Sequence, residues 1–411
     1  MNEATRKLLE SYPVGYYDFH PDANINFQMN RWLAWGEDSS MIEELRAISP
    51  RVQSHADFIR EFLALAEKAE GAGAKVKAAY YWRGAEFFMK GADPRRKGLR
   101  ARFIGIVRDA QGVSDADIER VPYTEAGAGA SLPALRFGKG GAKGALLLHG
   151  GFDSYFEEII APAKVFAAEG YDVVLFEGPG QGGVLEGGLP MTHRWELPVR
   201  AVLDHFGLGS AALIGISLGG YLALRAAAFE PRIGRVVAWD VIYDAFDTLL
   251  SQLPRAAILA IKACLALRAD ALVDLVVRSR MGRDLVAQWG VEQGMRVFGA
   301  PRPSGFLRAI DRCSASSFSR SLSCDALLLA GAEDHFVPLE TLYLQHRALS
   351  NARGVATRIF TKAQSAQGHC QVGNMGLALR VILDWLESTS PIVEGAYAPG
   401  PGLRGKSVAM E

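Results

Sequence analysis

Ser217 stands in Gly215-Ile216-Ser217-Leu218-Gly219-Gly220, directly after the apolar run Ala211–Ile214 and ahead of a helical pattern. A serine on a tight strand-to-helix turn can be a nucleophile, because flanking residues without a Cβ keep the strained turn free of clashes. The helix that follows aims its N-terminal dipole and the Leu218 N–H at an oxyanion forming on an attacked carbonyl. The plainer alternative is a Gly-rich turn around a buried serine. Upstream, Ala145–Leu148 runs into His149-Gly150-Gly151-Phe152-Asp153-Ser154. That loop can bring a second backbone N–H, from Gly151 or Phe152, to the same oxyanion, or it can be an ordinary strand-end turn.

Two further segments supply what a hydroxyl needs near neutrality: a base for its proton, and a carboxylate that fixes the tautomer of that base and stabilises its charge. Leu327–Gly331 is followed by Ala332-Glu333-Asp334-His335-Phe336-Val337-Pro338, and Thr357–Phe360 precedes Gln367-Gly368-His369-Cys370. Ser217, Asp334 and His369 are therefore assigned as nucleophile, orienting acid and base. Glu333 is the rival acid. His335 is the rival base, set aside because a side chain next to Asp334 is not expected to share the cleft with it.

The elements that position these residues are legible from period. Residues 1 to about 115 read as helical, with a capping start at Ser54 and Asp57, apolar residues from Phe58 to Ala69 at helical spacing, and a stop at Gly71-Ala72-Gly73. A second helix, from about Ala74 to Lys90, completes a helical hairpin. From about 116 the pattern changes: Glu119–Tyr123 and Leu132–Phe137 read as a β-hairpin. Short apolar runs then follow at 145–148, 172–176, 211–214, 236–239 and 326–329, with helical patterns between most of them. Continuous apolar strands alternating with helices predict a mostly parallel, doubly wound α/β sheet. About eighty mainly helical residues separate the last two runs, far more than a usual crossover, and read as an inserted lid. The expected organisation is a helical N-terminal cap over 1–115, a catalytic core over 116–240 and 323–390, a helical lid over 241–322 and a Gly/Pro-rich tail over 391–411.

Composition excludes several classes. The 411 residues suit two or three units, and 45 Lys and Arg balance 45 Asp and Glu, so there is no net positive field to hold nucleic acid. Cys264, Cys313, Cys324 and Cys370 are scattered without a CxxC pair, which argues against a zinc or redox site and for a reducing compartment. The N-terminus reads without a signal-peptide core, and no run of about 18 apolar residues occurs, so the expectation is a cytoplasmic protein without a membrane partner. The basic run Arg95, Arg96, Lys97, Arg100 and Arg102 reads as a solvated helix end.

HGGFDS, GISLGG, GAEDHFVP and QGHCQVGN, in this order, resemble the α/β-hydrolase superfamily over residues about 116–390. More narrowly, the helical N-terminal part and the wording FEGPGQGG and AAAFEPRI resemble a family of capped hydrolases. It includes 2,6-dihydroxypseudooxynicotine hydrolase, fungal polyketide-shortening hydrolases of pigment pathways and the FrsA-like esterases. The resemblance implies an α/β-hydrolase core and a serine hydrolase that cleaves a carbon–carbon bond next to a ketone in an aromatic or polyketide-like small molecule. It also implies an extra acidic residue after the strand that follows the nucleophile, where Asp240 and Asp244 fall. A loop carboxylate capping a lid helix is the plainer reading of either. Tyr81 and His193 are further candidate pocket residues, against the plainer readings of core aromatic and surface residue.

No metal or organic cofactor is expected, because nucleophile, base and oxyanion donors all come from the chain. Ester, thioester or amide hydrolysis and acyl transfer use the same triad and stay open, as does a non-catalytic binding protein on the same fold. Apolar surface on the N-terminal helices leaves a homodimer open as well.

Overall fold

The computed structural model describes residues 1–36, 38–125 and 128–389. The tail expected over 391–411 lies outside the described residues. Eight strands form one sheet: β1 (Ile118–Glu125), β2 (Ala128–Phe137), β3 (Ala145–His149), β4 (Asp172–Phe176), β5 (Ala211–Ile216), β6 (Ile233–Trp239), β7 (Asp325–Gly331) and β8 (Gly354–Phe360). Their order is β1-β2-β4-β3-β5-β6-β7-β8. β1 pairs antiparallel with β2 and β2 with β4, while β4, β3, β5, β6, β7 and β8 run parallel.

Burial explains why these segments are strands. β4 and β7 are buried along their whole length, as expected where helices cover both faces of a parallel sheet. Side chains still alternate between the faces. Leu146 and Leu148 pack with Ile160, Phe166 and Ile382, whereas Leu147 packs on the opposite side with Val199, Leu203 and Leu222. One covering layer therefore holds α7 (Ile160–Ala168) and α17 (Met375–Ser388), and the other holds α9 (Glu196–His205), α10 (Leu218–Phe229) and α16 (Glu340–Ala348). α8 (Gly182–Glu186) is a single turn after β4.

The N-terminal residues form α1 (Glu3–Ser11), α2 (Ala23–Gly36), α3 (Met41–Ile48), α4 (His55–Gly71), α5 (Lys75–Phe88) and α6 (Arg96–Ala110). The Ser54 hydroxyl caps α4 by accepting the Asp57 N–H at 3.2 Å, and α4 and α5 pack around Phe58, Phe62, Tyr81 and Trp82. α1 departs from the expected grouping: Leu9 packs with the α7 and α17 layer, so this helix covers the sheet. Between β6 and β7 lie α11 (Ala245–Leu249), α12 (Arg255–Ala266), α13 (Asp270–Met281), α14 (Leu285–Val297) and α15 (Pro303–Asp311). Among the described residues no helix is long and apolar enough to cross a membrane.

Buried charge joins the N-terminal helices to the sheet. Glu86, with no solvent exposure, accepts from Arg83 at 2.8 Å, Arg96 at 2.6 Å and Arg100 at 2.8 Å. Arg83 also donates to Glu158 at 3.0 Å and to the Asp153 carbonyl at 2.7 Å, and Arg31 donates to Glu158 at 2.7 Å. Burial alone would raise the Glu86 carboxyl, but three guanidinium groups outweigh it and hold it down at about 2. The expectation of a solvated helix end at Arg95–Arg102 is thus corrected for Arg96 and Arg100, because their partner lies on α5, out of reach of any pattern within the run. Arg95 is exposed as expected.

Replacing Glu86 with alanine removes the carboxylate shared by three buried guanidinium groups: Arg83 keeps Glu158 and Arg100 keeps Glu186, but Arg96 loses its carboxylate partner. Such a loss costs about 3–5 kcal/mol. Chemical denaturation of Glu86→Ala is expected to show a loss of that size, whereas Glu43→Ala, at an exposed position, stays within about 0.5 kcal/mol of the parent.

Candidate active site

Ser217 occupies the turn between β5 and α10 with φ 63° and ψ −127°, a conformation side chains rarely adopt. Its neighbours hold it there. The Ser217 N–H donates to the Trp239 carbonyl at 2.7 Å, and the Gly220 N–H donates to the Ser217 carbonyl at 2.8 Å. Gly215 must lack a side chain, since a Cβ would run into the Gly219 carbonyl. Leu218 opens α10, so its N–H has no acceptor within the helix.

The loop after β3 lies directly against this turn. A Cβ on Gly151 would meet the Ile216 carbonyl oxygen at 2.6 Å and the Leu218 nitrogen at 2.9 Å, so only glycine lets the two backbones approach. His149, fully buried, ties the loop down. Burial pushes its imidazole down to about 4, so it is neutral. Trp195 donates its indole N–H to Nε2 at 3.1 Å, which leaves the proton on Nδ1, and Nδ1 donates to the Gly150 carbonyl at 2.8 Å. Gln181 donates to the carbonyls of Gly150 at 2.6 Å and Gly151 at 3.2 Å. These donors fix the carbonyls of Gly150 and Gly151 and with them the peptide planes of the loop beside the Ser217 turn.

His369 reaches the serine from the segment after β8. Its Nε2 lies 2.8 Å from Ser217 Oγ, and its Nδ1 lies 2.7 Å from Asp334 Oδ2 and 3.0 Å from Asp240 Oδ2. Asp334 follows β7 and its other oxygen accepts the N–H groups of Phe336 at 2.8 Å and Val337 at 3.0 Å. Burial would lower the His369 imidazole, but the charges of Asp334 and Asp240 outweigh it and hold it well above its ordinary value. Burial pushes Asp334 up; Asp240, although buried, is held below the usual carboxylate range by His369 and by backbone and side-chain donors. Asp240, His369 and Cys370 bring potential metal-binding atoms within 4.8 Å of one another, but both imidazole nitrogens are already engaged, so the cluster offers no complete ligand set.

Ser217 opens into a cavity of about 1040 Å³, walled mainly by apolar groups such as Phe27, Trp35, Phe152, Trp289 and Phe336. α2 supplies Phe27, whose ring lies 5.9 Å from His369 and 5.4 Å from Phe336. The insertion supplies Trp289, and Gln293 on the same helix donates to the Phe152 carbonyl at 3.2 Å. Arg31 and Asp153 add a paired charge to the wall, at 3.1 Å from each other.

Ser217, Asp334, His369, Leu218, Gly151 and Phe152 are thus brought together, whereas none of the four candidate substrate residues lines the cavity, although Asp240 reaches His369. Asp240 lies beneath His369 with 1% exposure and does not line the cavity. Asp244 caps α11, accepting the Asp247 N–H at 2.9 Å, as the plainer reading has it. Tyr81 is buried among the N-terminal helices, its hydroxyl donating to Glu44 at 2.8 Å. His193 stands outside the cavity, 3.4 Å from Arg312. These corrections share a cause: helical or loop position says nothing about which neighbour a side chain meets. Glu333 is exposed, but the reason given for setting His335 aside fails, because the loop turns Asp334 toward His369 and leaves His335 on the cavity wall. Burial pushes that imidazole down to about 3. Arg31, Phe27 and Trp289 carried no local signal of a site.

Comparison with known proteins gives the class. Residues 145–373, more than half of the chain, match the model of the alpha/beta hydrolase family, and the chain belongs to that family. It is similar to the hydrolase acrC of Aspergillus aculeatus, with 28% identity over 85% of this chain and 89% of that one. The 20-hydroxy-prefusarin hydrolase FUS2 of Gibberella moniliformis is 27% identical over 87% of this chain and 89% of its own. Among solved structures, 2,6-dihydroxy-pseudo-oxynicotine hydrolase superposes with TM-score 0.58 at 18% identity, covering 88% of this chain and 95% of that one. Wild-type AbyA5 gives TM-score 0.61 at 17% identity, covering 88% and 94%.

The packing of Gly151 yields a direct expectation. In Gly151→Ala the new methyl pushes the loop away from Leu218; if the loop's N–H serves as an oxyanion donor, that shift is worth about 10²–10³ in rate. Labelling of Ser217 by a fluorophosphonate, followed by intact mass, is expected to slow by that factor while the circular dichroism spectrum stays unchanged.

Proposed function

We propose that the protein is a serine hydrolase in which Ser217 attacks a carbonyl, His369 takes the hydroxyl proton on Nε2, and Asp334 orients His369. The observation that carries this reading is the unbroken chain from Ser217 through His369 to Asp334, 2.8 Å and 2.7 Å, opening into a large apolar cavity. The Leu218 N–H and an N–H from Gly151 or Phe152 hold the oxyanion. Collapse of the tetrahedral adduct breaks the bond to the leaving group, which takes the proton from the His369 imidazolium. Water, deprotonated by the same imidazole, then releases the acyl group from Ser217.

The substrate we infer is a ketone on an aromatic or polyketide-like skeleton, and the bond cleaved is the carbon–carbon bond beside the carbonyl. The family resemblance supports this, as does a mainly apolar wall that includes Phe27, Trp35, Phe152, Trp289 and Phe336, suited to a flat unsaturated substrate. Similar proteins are named as hydrolases of small organic molecules: FUS2 for 20-hydroxy-prefusarin, and a structural neighbour for 2,6-dihydroxy-pseudo-oxynicotine. Cleavage there expels a carbanion stabilised by an adjacent arene or carbonyl, which needs a proton. Since Asp240 does not reach the cavity, His369 Nε2 is the group placed to give it.

Exposure to a fluorophosphonate is expected to add one adduct, absent in Ser217→Ala, and turnover in that variant to fall by about 10⁶-fold. With a panel of acyl-aryl ketones and aryl esters, carbon–carbon cleavage releases an acid together with a shortened ketone or arene. Turnover confined to the esters, with an alcohol as the second product, would remove the carbon–carbon assignment and keep the serine one.

A further inference from the structure

We propose that Arg31 anchors the substrate in the cavity by binding an anionic oxygen group, a carboxylate or an ionised phenol or enol, on the molecule whose carbonyl Ser217 attacks. The substrate is thereby an acidic one. This rests on the cavity being the substrate site of the serine hydrolase proposed above.

α2 turns one stripe toward the cavity: Phe27, Arg31 and Trp35, four residues apart, all line it. The Phe27 ring lies 5.9 Å from His369, and Arg31 follows it by one helical turn, a rise of about 6 Å. Arg31 is 8% exposed, whereas Arg280 and Arg283, on the same wall, stand in water. Its guanidinium carbon sits over the buried rings of Trp32 at 4.7 Å and Phe87 at 5.3 Å, which hold the group in place.

The use Arg31 makes of its donors sets it apart. Glu158 and Asp153 both meet the same atom, Nη2, at 2.7 Å and 3.1 Å. Nε and Nη1 have no hydrogen-bond acceptor among the described residues, and neither is sealed from accessible space. Arg83, which shares Glu158, is the contrast. Its Nε donates to Glu158 at 3.0 Å, its Nη1 to Glu86 at 2.8 Å and its Nη2 to the Asp153 carbonyl at 2.7 Å. An arginine serving only to neutralise Glu158 would spread its fork over the acceptors around it, as Arg83 does. Arg31 instead keeps that face of the fork for an acceptor that arrives through the cavity.

Charge points the same way. Direct ion pairs join Arg31, Arg83, Arg96, Arg100 and Arg296 to Asp153, Glu158, Glu86 and Glu186. Five guanidinium groups thus meet four carboxylates, and the member of the five that opens on the cavity is Arg31. A buried cation short of a counter-charge is costly until an anion reaches it. The other acids of the wall are engaged elsewhere: Asp22 accepts the Ile25 N–H at 2.9 Å and Asp284 the Ala287 N–H at 3.0 Å. The free N–H groups of the fork suit a carboxylate pairwise and a phenolate or enolate oxygen singly.

Calorimetric titration of the Ser217→Ala chain with naphthoate, and with naphthamide as its neutral counterpart, reads this contact without turnover. Charge-assisted hydrogen bonds to a buried guanidinium make naphthoate bind about tenfold to a hundredfold more tightly. Dinitrophenolate against dinitroanisole makes the same comparison for an ionised phenol, and the anion with the larger preference identifies the source of the charge. Arg31→Gln removes the preference, whereas Arg280→Gln and Arg283→Gln keep it. Failure of both anions to bind more tightly than their neutral counterparts, or a preference that survives in Arg31→Gln, overturns the proposal. Should Arg31→Gln not fold, the two comparisons with Arg31 in place decide, together with the double Arg280→Gln, Arg283→Gln chain, in which loss of the preference also overturns it. A protein that prefers the anions but takes no fluorophosphonate adduct at Ser217 keeps the anion site and loses the serine hydrolase reading, so the two failures are told apart.

Discussion

Parallel pairing of β3, β5, β6, β7 and β8 places five strand ends on one edge of the sheet, and every group in the candidate site hangs from that edge. The loop with Gly151 follows β3, Ser217 follows β5, Asp240 follows β6, Asp334 follows β7 and His369 follows β8. Neighbouring strands are about 4.8 Å apart. An imidazole arriving from the outermost strand must therefore cross two strand ends to reach Ser217, and those two ends are where the carboxylates lie. Register does the alignment: Trp239, Leu329 and Ile216 sit level across three strands, so the residues beyond them emerge side by side.

Placing so much charge out of water has a cost that only partners offset. The structure meets it in two connected regions. Around His369, backbone N–H groups and Gln371 satisfy the carboxylates on the sides that His369 does not face. Around Glu86 and Glu158, four arginines from α2, α5 and α6 do the same, and Arg83 carries that network to the Asp153 carbonyl, within the loop after β3. The N-terminal helices are thereby fastened to the catalytic edge by directional bonds that tolerate little displacement. Their apolar face contributes Phe27 to the cavity wall at the same time.

Much of the catalytic edge is legible in the sequence because local chemistry demands particular residues there. A strained turn against two other backbones admits only glycines, and they stand at 151, 215 and 219; strands buried on both faces read as apolar runs without alternation. Ser54 and Asp57 similarly mark the start of α4. Partnerships across the chain left no such trace. Arg96 and Arg100 look like a solvated run until Glu86, on another helix, is placed beside them. Asp240 resembles a loop carboxylate until the segment after β8 folds over it, and His335 is revealed as a wall residue only by how the loop after β7 turns.

The sequence by itself determined the class of sheet, the tight turn at Ser217, the Gly-rich loop after β3 and the strand ends that carry Asp334 and His369, since each depends on backbone geometry spanning a few residues. The tertiary structure alone decided which carboxylates meet His369, which arginines are buried and which aromatic rings line the cavity. Those outcomes depend on side chains separated by 10 to 152 positions, brought within 3 Å by packing of strands and helices. No periodic pattern along a single chain encodes such a distance.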